Sequence, residues 1–184
     1  MRSILKTLSL SSLIVFAMTI LSGCSGVDYT KTVPHVDLNK FMKKWYVIAG
    51  RFTFLESGAH NSVEEYTYNS EQERIDINFY FNKGSFDGEV KRIPQKAWIE
   101  NKQTNAHWKV SPFWPLKFDY LVVALADDYS WTAIGVPGQN YLWIMADRPN
   151  VGQEELNAMI EQVKQTGYKV EPIEIVPNNM KSEE

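Results

Sequence analysis

The stretch from Lys43 to Phe54, KKWYVIAGRFTF, constrains this chain more than any other. Trp45, Val47 and Ala49 fall on one side of a two-residue alternation, and Tyr46, Ile48 and Gly50 on the other, so it reads as a strand apolar on both faces. Neither face of such a strand suits water. At 184 residues the chain suits one domain, and a single barrel or sandwich uses nearly all of it. Just upstream, Asp37-Leu38-Asn39-Lys40-Phe41-Met42 reads as one helical turn, with Asp37 accepting from the free amides at its start.

Short strands follow at the spacing of an all-β barrel. Val63 to Tyr68 alternates, with Glu64, Tyr66 and Tyr68 on one side. Ile75, Ile77, Phe79 and Phe81 alternate with Arg74, Asp76, Asn78 and Tyr80, the cleanest inward-apolar pattern in the chain. Phe86 to Ile99 is interrupted by Pro94, which predicts a bulge or an edge position. Trp108 and Val110 alternate with His107 and Lys109, placing His107 toward water. Ser111 to Lys117 is a loop with two prolines that exposes Phe113 and Trp114. Tyr120 to Ala126, Tyr129 to Gly135 and Tyr141 to Ala146 complete eight strands. One helix, Asn150 to Thr166, is predicted with Asn150 as its cap and Gly167 as its stop; Leu156, Met159, Ile160 and Val163 form a stripe that packs on a sheet. Residues 168–176 add a short extended segment, and 177–184 read as a polar, frayed tail.

The amino terminus is a targeting segment. Arg2 and Lys6 precede an apolar run from Leu8 to Leu21 that is short for a membrane span, so residues 1–23 read as a cleaved export signal. The only cysteine is Cys24. Leu21-Ser22-Gly23-Cys24 resembles the lipobox of bacterial lipoproteins, which implies cleavage before Cys24 and its acylation; two or three acyl chains anchor firmly. Ser25, not an aspartate, implies sorting to the outer membrane by the same resemblance. Residues 24–36 then read as the lipidated cysteine and a tether. Without Arg2 and Lys6, 17 of the 19 cations face 22 acidic residues, about −5. No basic stripe is present, which argues against a nucleic-acid partner. No Ser-His-carboxylate set, no spare thiol, no histidine pattern for a metal and no glycine-rich phosphate loop stands out, so no catalytic residue, metal or cofactor is assigned.

A helical turn followed by Trp45-Tyr46 opening a long first strand resembles the first signature of the lipocalins. Trp45 to Ala49, then Phe54-x-Glu56 with Asn61, Glu64 and Tyr66, then Lys109-Val110, Phe113-Trp114-Pro115, Asp119-Tyr120 and Tyr141-Leu142-Trp143-Ile144 extend the likeness across about residues 36–170. It is nearest to the bacterial, apolipoprotein D-like branch. The resemblance implies an eight-stranded antiparallel up-and-down calyx over 37–176, with the helix packed outside. It also implies a fatty acid or lysophospholipid ligand stored or carried at the outer membrane, with the domain facing the periplasm, in envelope maintenance or stress. Three positions depart from the family pattern: Lys43 replaces a glycine, Ala126 an aspartate, and Asp147 the arginine that packs over the signature tryptophan. Arg148, one place later, is the remaining candidate to close the barrel over Trp45.

Alternation and resemblance together nominate the inner wall. On the first three strands these are Val47, Ala49, Glu64, Tyr66, Tyr68, Ile77, Phe79 and Phe81. On the later strands they are Trp108, Val110, Tyr120, Val122, Trp131, Tyr141 and Trp143. Such a lining suits an acyl chain with a polar end near the mouth. Glu64 stands out, because a carboxylate on an inner wall is costly unless paired, hydrated or protonated. An enzyme acting on a bound lipid, with Glu64 and Tyr66 or Tyr68 as acid and base, and an interaction protein with a filled barrel are the alternatives. A homodimer is left open.

Overall fold

A computed structural model describes residues 28–181. Cys24 and the export signal lie outside the described residues. The elements run α1 (Leu38–Phe41), β1 (Lys44–Arg51), a 3-10 turn (Phe54–Glu56), β2 (Ala59–Asn69), β3 (Arg74–Lys83), β4 (Val90–Ile99), β5 (His107–Ser111), β6 (Phe118–Leu125), β7 (Trp131–Gly135), β8 (Leu142–Ala146), α2 (Gln153–Gln165) and β9 (Glu174–Ile175). Strands β1 to β8 pair antiparallel in chain order, and β8 returns to β1, closing an eight-stranded barrel.

The closing seam is short. β1 meets β2 only from Lys44 to Tyr46. Above that point β9 takes the edge of β1, pairing at Ala49 and Gly50. The Val176 amide donates to the Ile48 carbonyl at 2.9 Å, and the Asn61 amide of β2 to the Pro177 carbonyl at 2.9 Å. Val176 is buried within the barrel's inner cluster. The carboxy-terminal segment thus fills the gap between β1 and β2. Residues 177–180 are held rather than frayed: Asn61 and Asn179 bond reciprocally, and the Asn150 amide group donates to the Met180 carbonyl at 2.9 Å.

That last bond corrects the predicted helix cap. Asn150 is engaged with the tail, and α2 starts three residues later with Gly152 as its N-cap. The apolar stripe behaves as read: Leu156, Met159 and Val163 are buried against Tyr46, Ile48, Leu142 and Ile144 on the outer wall. Pro94 does not bulge; it pairs in register with Asn78, while β5 joins β4 only from Lys96 onward, so the proline sits where β4 has a neighbour on one side. The register shifts fall elsewhere, at Val47/Ala49, His60/Val63 and Val122/Ala124.

Up-and-down topology sorts the loops by end. Segments 52–58, 84–89, 112–117 and 136–141 lie at one end, and α1 with the β2–β3, β4–β5 and β6–β7 turns at the other. Residues 28–36 climb the outer wall from the α1 end. Backbone bonds run from Val36 to Thr104 (2.7 Å), Val33 to Val122 (2.9 Å) and Tyr29 to Pro137 (2.8 Å), and the Tyr29 ring meets Tyr168 edge-on at 4.8 Å. This part of the expected tether is a docked strap.

Candidate functional site

The inner wall is built from the α1 end upward. Phe41, Trp45 and Trp108 are fully buried there. Trp45 Nε1 donates to the Phe41 carbonyl at 3.0 Å, and the Phe41 ring meets Trp45, Trp108 and Tyr66 at 5.2, 5.3 and 5.7 Å. These rings make a solid floor. The cation over Trp45 is Lys43: its Nζ lies 4.4 Å from the ring centroid, donates to the Tyr129 carbonyl at 2.6 Å and pairs with Asp147 at 3.6 Å. Arg148 turns away to bond Glu155 on α2 and Asp147. The closure expected of Arg148 is therefore made by Lys43, and Asp147 in the arginine's place is its counter-ion. Lys43→Met should lower the unfolding free energy by about 1–2 kcal/mol, since it removes a cation–π contact and a hydrogen bond. Arg148→Ala, at a surface ion pair, should cost less than about 1 kcal/mol. Urea denaturation of the two variants checks the assignment.

Above the floor, Tyr120 lies stacked on Trp108 at 5.0 Å with an interplanar angle of 2°. The Tyr66 hydroxyl donates to a Glu64 carboxylate oxygen, and the Tyr66 and Tyr120 hydroxyls are 2.6 Å apart. When Glu64 is ionised the one Tyr66 proton goes to it, and Tyr120 is then the donor to Tyr66. All three residues are buried. Burial pushes the Glu64 carboxyl up to about 7, against the lowering effect of the Tyr66 bond and with a further push from the charge of Glu56. Desolvation raises both tyrosines, and Glu64 nearby adds to it. Glu64 is thus accommodated by a protein hydroxyl, and its placement does not require a ligand.

Nearer the loop end, the Phe79 and Phe81 rings meet at 5.3 Å, tilted by 36°, and pack with Ala59 and Ile93. Trp143 Nε1 donates to Glu56 Oε1 at 2.6 Å. The Thr53 amide and hydroxyl donate to the other Glu56 oxygen at 3.1 and 2.8 Å. Burial raises the Glu56 carboxyl, and these donors pull it back.

Of the nominated residues, Val47, Tyr66, Ile77, Trp108, Val110, Tyr120 and Val122 join the inner cluster, and Trp143 packs against it. Glu64 joins through Tyr66. Phe79 and Phe81 line the upper wall, and Tyr141 sits beside Trp143 at 6.1 Å. Three do not converge. Ala49 follows the register shift after Val47 and packs with the helix-side cluster. Trp131 lies in that cluster too, because the face of β7 under α2 is as apolar as the face toward the interior. Tyr68 has the expected parity but sits near the end of β2, 41% exposed. His107 is half-buried and bonds Asp119 at 2.6 Å instead of facing only water. Residues missed by alternation include Phe41, Lys43 and Glu56. The Phe54-x-Glu56 motif carried a signal for the last.

Two concavities on the described residues lie outside the barrel. One of about 360 Å³ is lined by Glu65, Arg74 and Asp76, and one of about 510 Å³ lies between the strap and α2. The interior near the floor is occupied by rings; toward the loop end the inward face of β6 passes from Val122, fully buried, through Tyr120 to Phe118, 52% exposed.

Known proteins agree with this architecture. A family model described as a lipocalin-like domain matches residues 36–178. An outer membrane lipoprotein Blc of Vibrio cholerae is 29% identical over 157 residues, 84% of this chain and 91% of its own length; that of Escherichia coli K12 is 27% identical over 138 residues, 75% and 77%. Temperature-induced lipocalin-1 of Arabidopsis thaliana is 22% identical over 156 residues, 81% and 83%. Among solved structures, insecticyanin of the tobacco hornworm Manduca sexta superposes with a TM-score of 0.63 at 15% identity, covering 85% of this chain and 87% of its own, a likeness of fold. With a floor tryptophan under a cation, eight strands, an outer helix and a family match across nearly all of the barrel, this chain belongs to the lipocalin-like family.

Proposed function

We propose that this protein is a lipid-anchored binder of acyl-chain ligands, fatty acids or lysophospholipids, which it stores or carries at the bacterial outer membrane from the periplasmic face. The lipobox-like sequence ending in Cys24 and the outer membrane lipoproteins among its relatives support the location. One observation carries the binding role: the apolar inward face of β6 is continuous from the sealed floor to Phe118, which meets water at the loop end. An acyl chain enters there and lies along that wall and Phe79–Phe81, above the Tyr66–Tyr120 pair. Burial is worth about 0.8 kcal/mol per methylene, so twelve carbons gain roughly 8–10 kcal/mol before ordering costs.

Titrating detergent-free protein with lysophospholipid should give a saturable change in tryptophan emission, diminished by Trp143→Phe. Native mass spectrometry of protein purified from its own membrane should find lipid-sized added mass. No saturable change, with no added mass, would refute the role. Ligand should be recovered unchanged after long incubation; a converted product would favour an enzyme instead.

A further inference from the structure

Among the described residues, nine large hydrophobic side chains are exposed, and seven of them gather at the loop end of the barrel. Phe54 (87% exposed) is on the 52–58 segment, Phe86 on 84–89, and Phe113, Trp114 (78%) and Leu116 on 112–117, with Val90 opening β4 and Phe118 opening β6. Isolated exposed apolar residues are ordinary, but convergence from three separate loops onto one rim is not. Lys117 belongs to the same rim; its Nζ lies 4.2 Å from the Trp98 ring centroid and 6.0 Å from that of Trp114. A cation beside tryptophans at the edge of an apolar patch suits the boundary between acyl chains and head groups.

The path of the chain points to the same end. The strap bonds the Tyr29 amide to Pro137, in the 136–141 loop, and the first described residue is Asp28. Three residues separate Asp28 from Cys24, and the four Cα–Cα steps between them span at most about 14 Å when fully extended. An acyl anchor on Cys24 therefore inserts close beside the rim. The α1 end is a barrel's length away from it.

We propose that the rim of Phe54, Phe86, Phe113, Trp114, Leu116 and Phe118 rests on the bilayer that holds Cys24, so that the mouth of the barrel faces the lipid surface. This rests on the lipid-anchor reading above. It gives the ligand a path from membrane to barrel that avoids crossing water, and it supplies a second membrane contact beside the acyl chains.

Site-directed spin labelling tests it. The mature lipoprotein is reconstituted into phosphatidylethanolamine/phosphatidylglycerol vesicles with a nitroxide at Phe54→Cys (rim) or Lys102→Cys (α1 end); the Cys24 sulfur, being acylated, does not react. Expected is a several-fold excess of collisions with oxygen over a water-soluble nickel complex at 54, and the reverse at 102. A second readout is a blue shift of emission on reconstitution that Trp114→Phe largely removes. Equal access of the nickel complex to both labels, with the protein floating with the vesicles, would overturn the orientation and leave the anchor standing. Failure to float would overturn both, while the lysophospholipid titration would still report on binding. Shielding of label 54 from both reagents, with crosslinks between copies, would show a second copy on the rim and also overturn the proposal.

Discussion

Trp45→Ala should lower the unfolding free energy by about 3–5 kcal/mol, the range for deleting a large aromatic ring from a core that cannot collapse around the void. Trp45 is fully buried, its ring contacts both Phe41 and the Lys43 ammonium, and its indole nitrogen satisfies the Phe41 carbonyl. Removing it unseals the floor, strands that carbonyl and leaves the cation without its aromatic face. Equilibrium urea unfolding reads the loss as a lower midpoint at unchanged slope. Trp114→Ala is the control: an exposed ring should change stability by less than about 0.5 kcal/mol. Equal effects at the two positions would refute the account of the floor.

The second large effect concerns Glu64. Burial pushes its carboxyl up to about 7 in the folded protein from an ordinary value of 4.5, so between those values the native state binds the proton that the unfolded chain has lost. Stability therefore falls as pH rises through this window: the cost is absent below about 4.5 and complete above about 7. The shift corresponds to about 3 kcal/mol, to order of magnitude. Glu64→Gln keeps an oxygen for the Tyr66 hydroxyl and removes the charge. At pH 8 it should be more stable than the natural protein by up to about 3 kcal/mol, less the cost of an amide N–H that needs a partner. At pH 4.5 the advantage should vanish. Urea midpoints from pH 4 to 8 that run parallel for the two proteins would sink this. Burial raises Glu56 as well, so a residual slope of the same sign should survive in the variant.

How far the sequence could be read depended on whether a strand had one apolar face or two. β3 alternates cleanly, and Ile75, Ile77, Phe79 and Phe81 all point inward. β1 and β7 are buried on both faces, inside against the barrel and outside against α2. Periodicity there holds no information about direction, and a register shift adds to the problem; Ala49 and Trp131 were lost to that ambiguity. Lys43 announced itself as a departure at a position usually held by glycine. Its role needed the geometry, because the compensating change, Asp147, is 104 residues away. β9 falls within the extended segment expected over 168–176, but its two residues are both exposed, so no alternation showed where it pairs. Glu64 was visible as an anomaly, whereas Tyr120, which bonds Glu64's partner Tyr66 from across the barrel, depended on knowing which strands face each other.

The seam between β1 and β2 has a kinetic consequence. Beyond Tyr46, β1 touches only β8 and β9, so Ala49 waits for Ile144 and Ile175. An apolar stretch made early must travel unsheltered until some 125 residues more have been synthesised. The strand that opens the barrel is therefore among the last to be enclosed, and its cover is complete only when the ninth strand arrives.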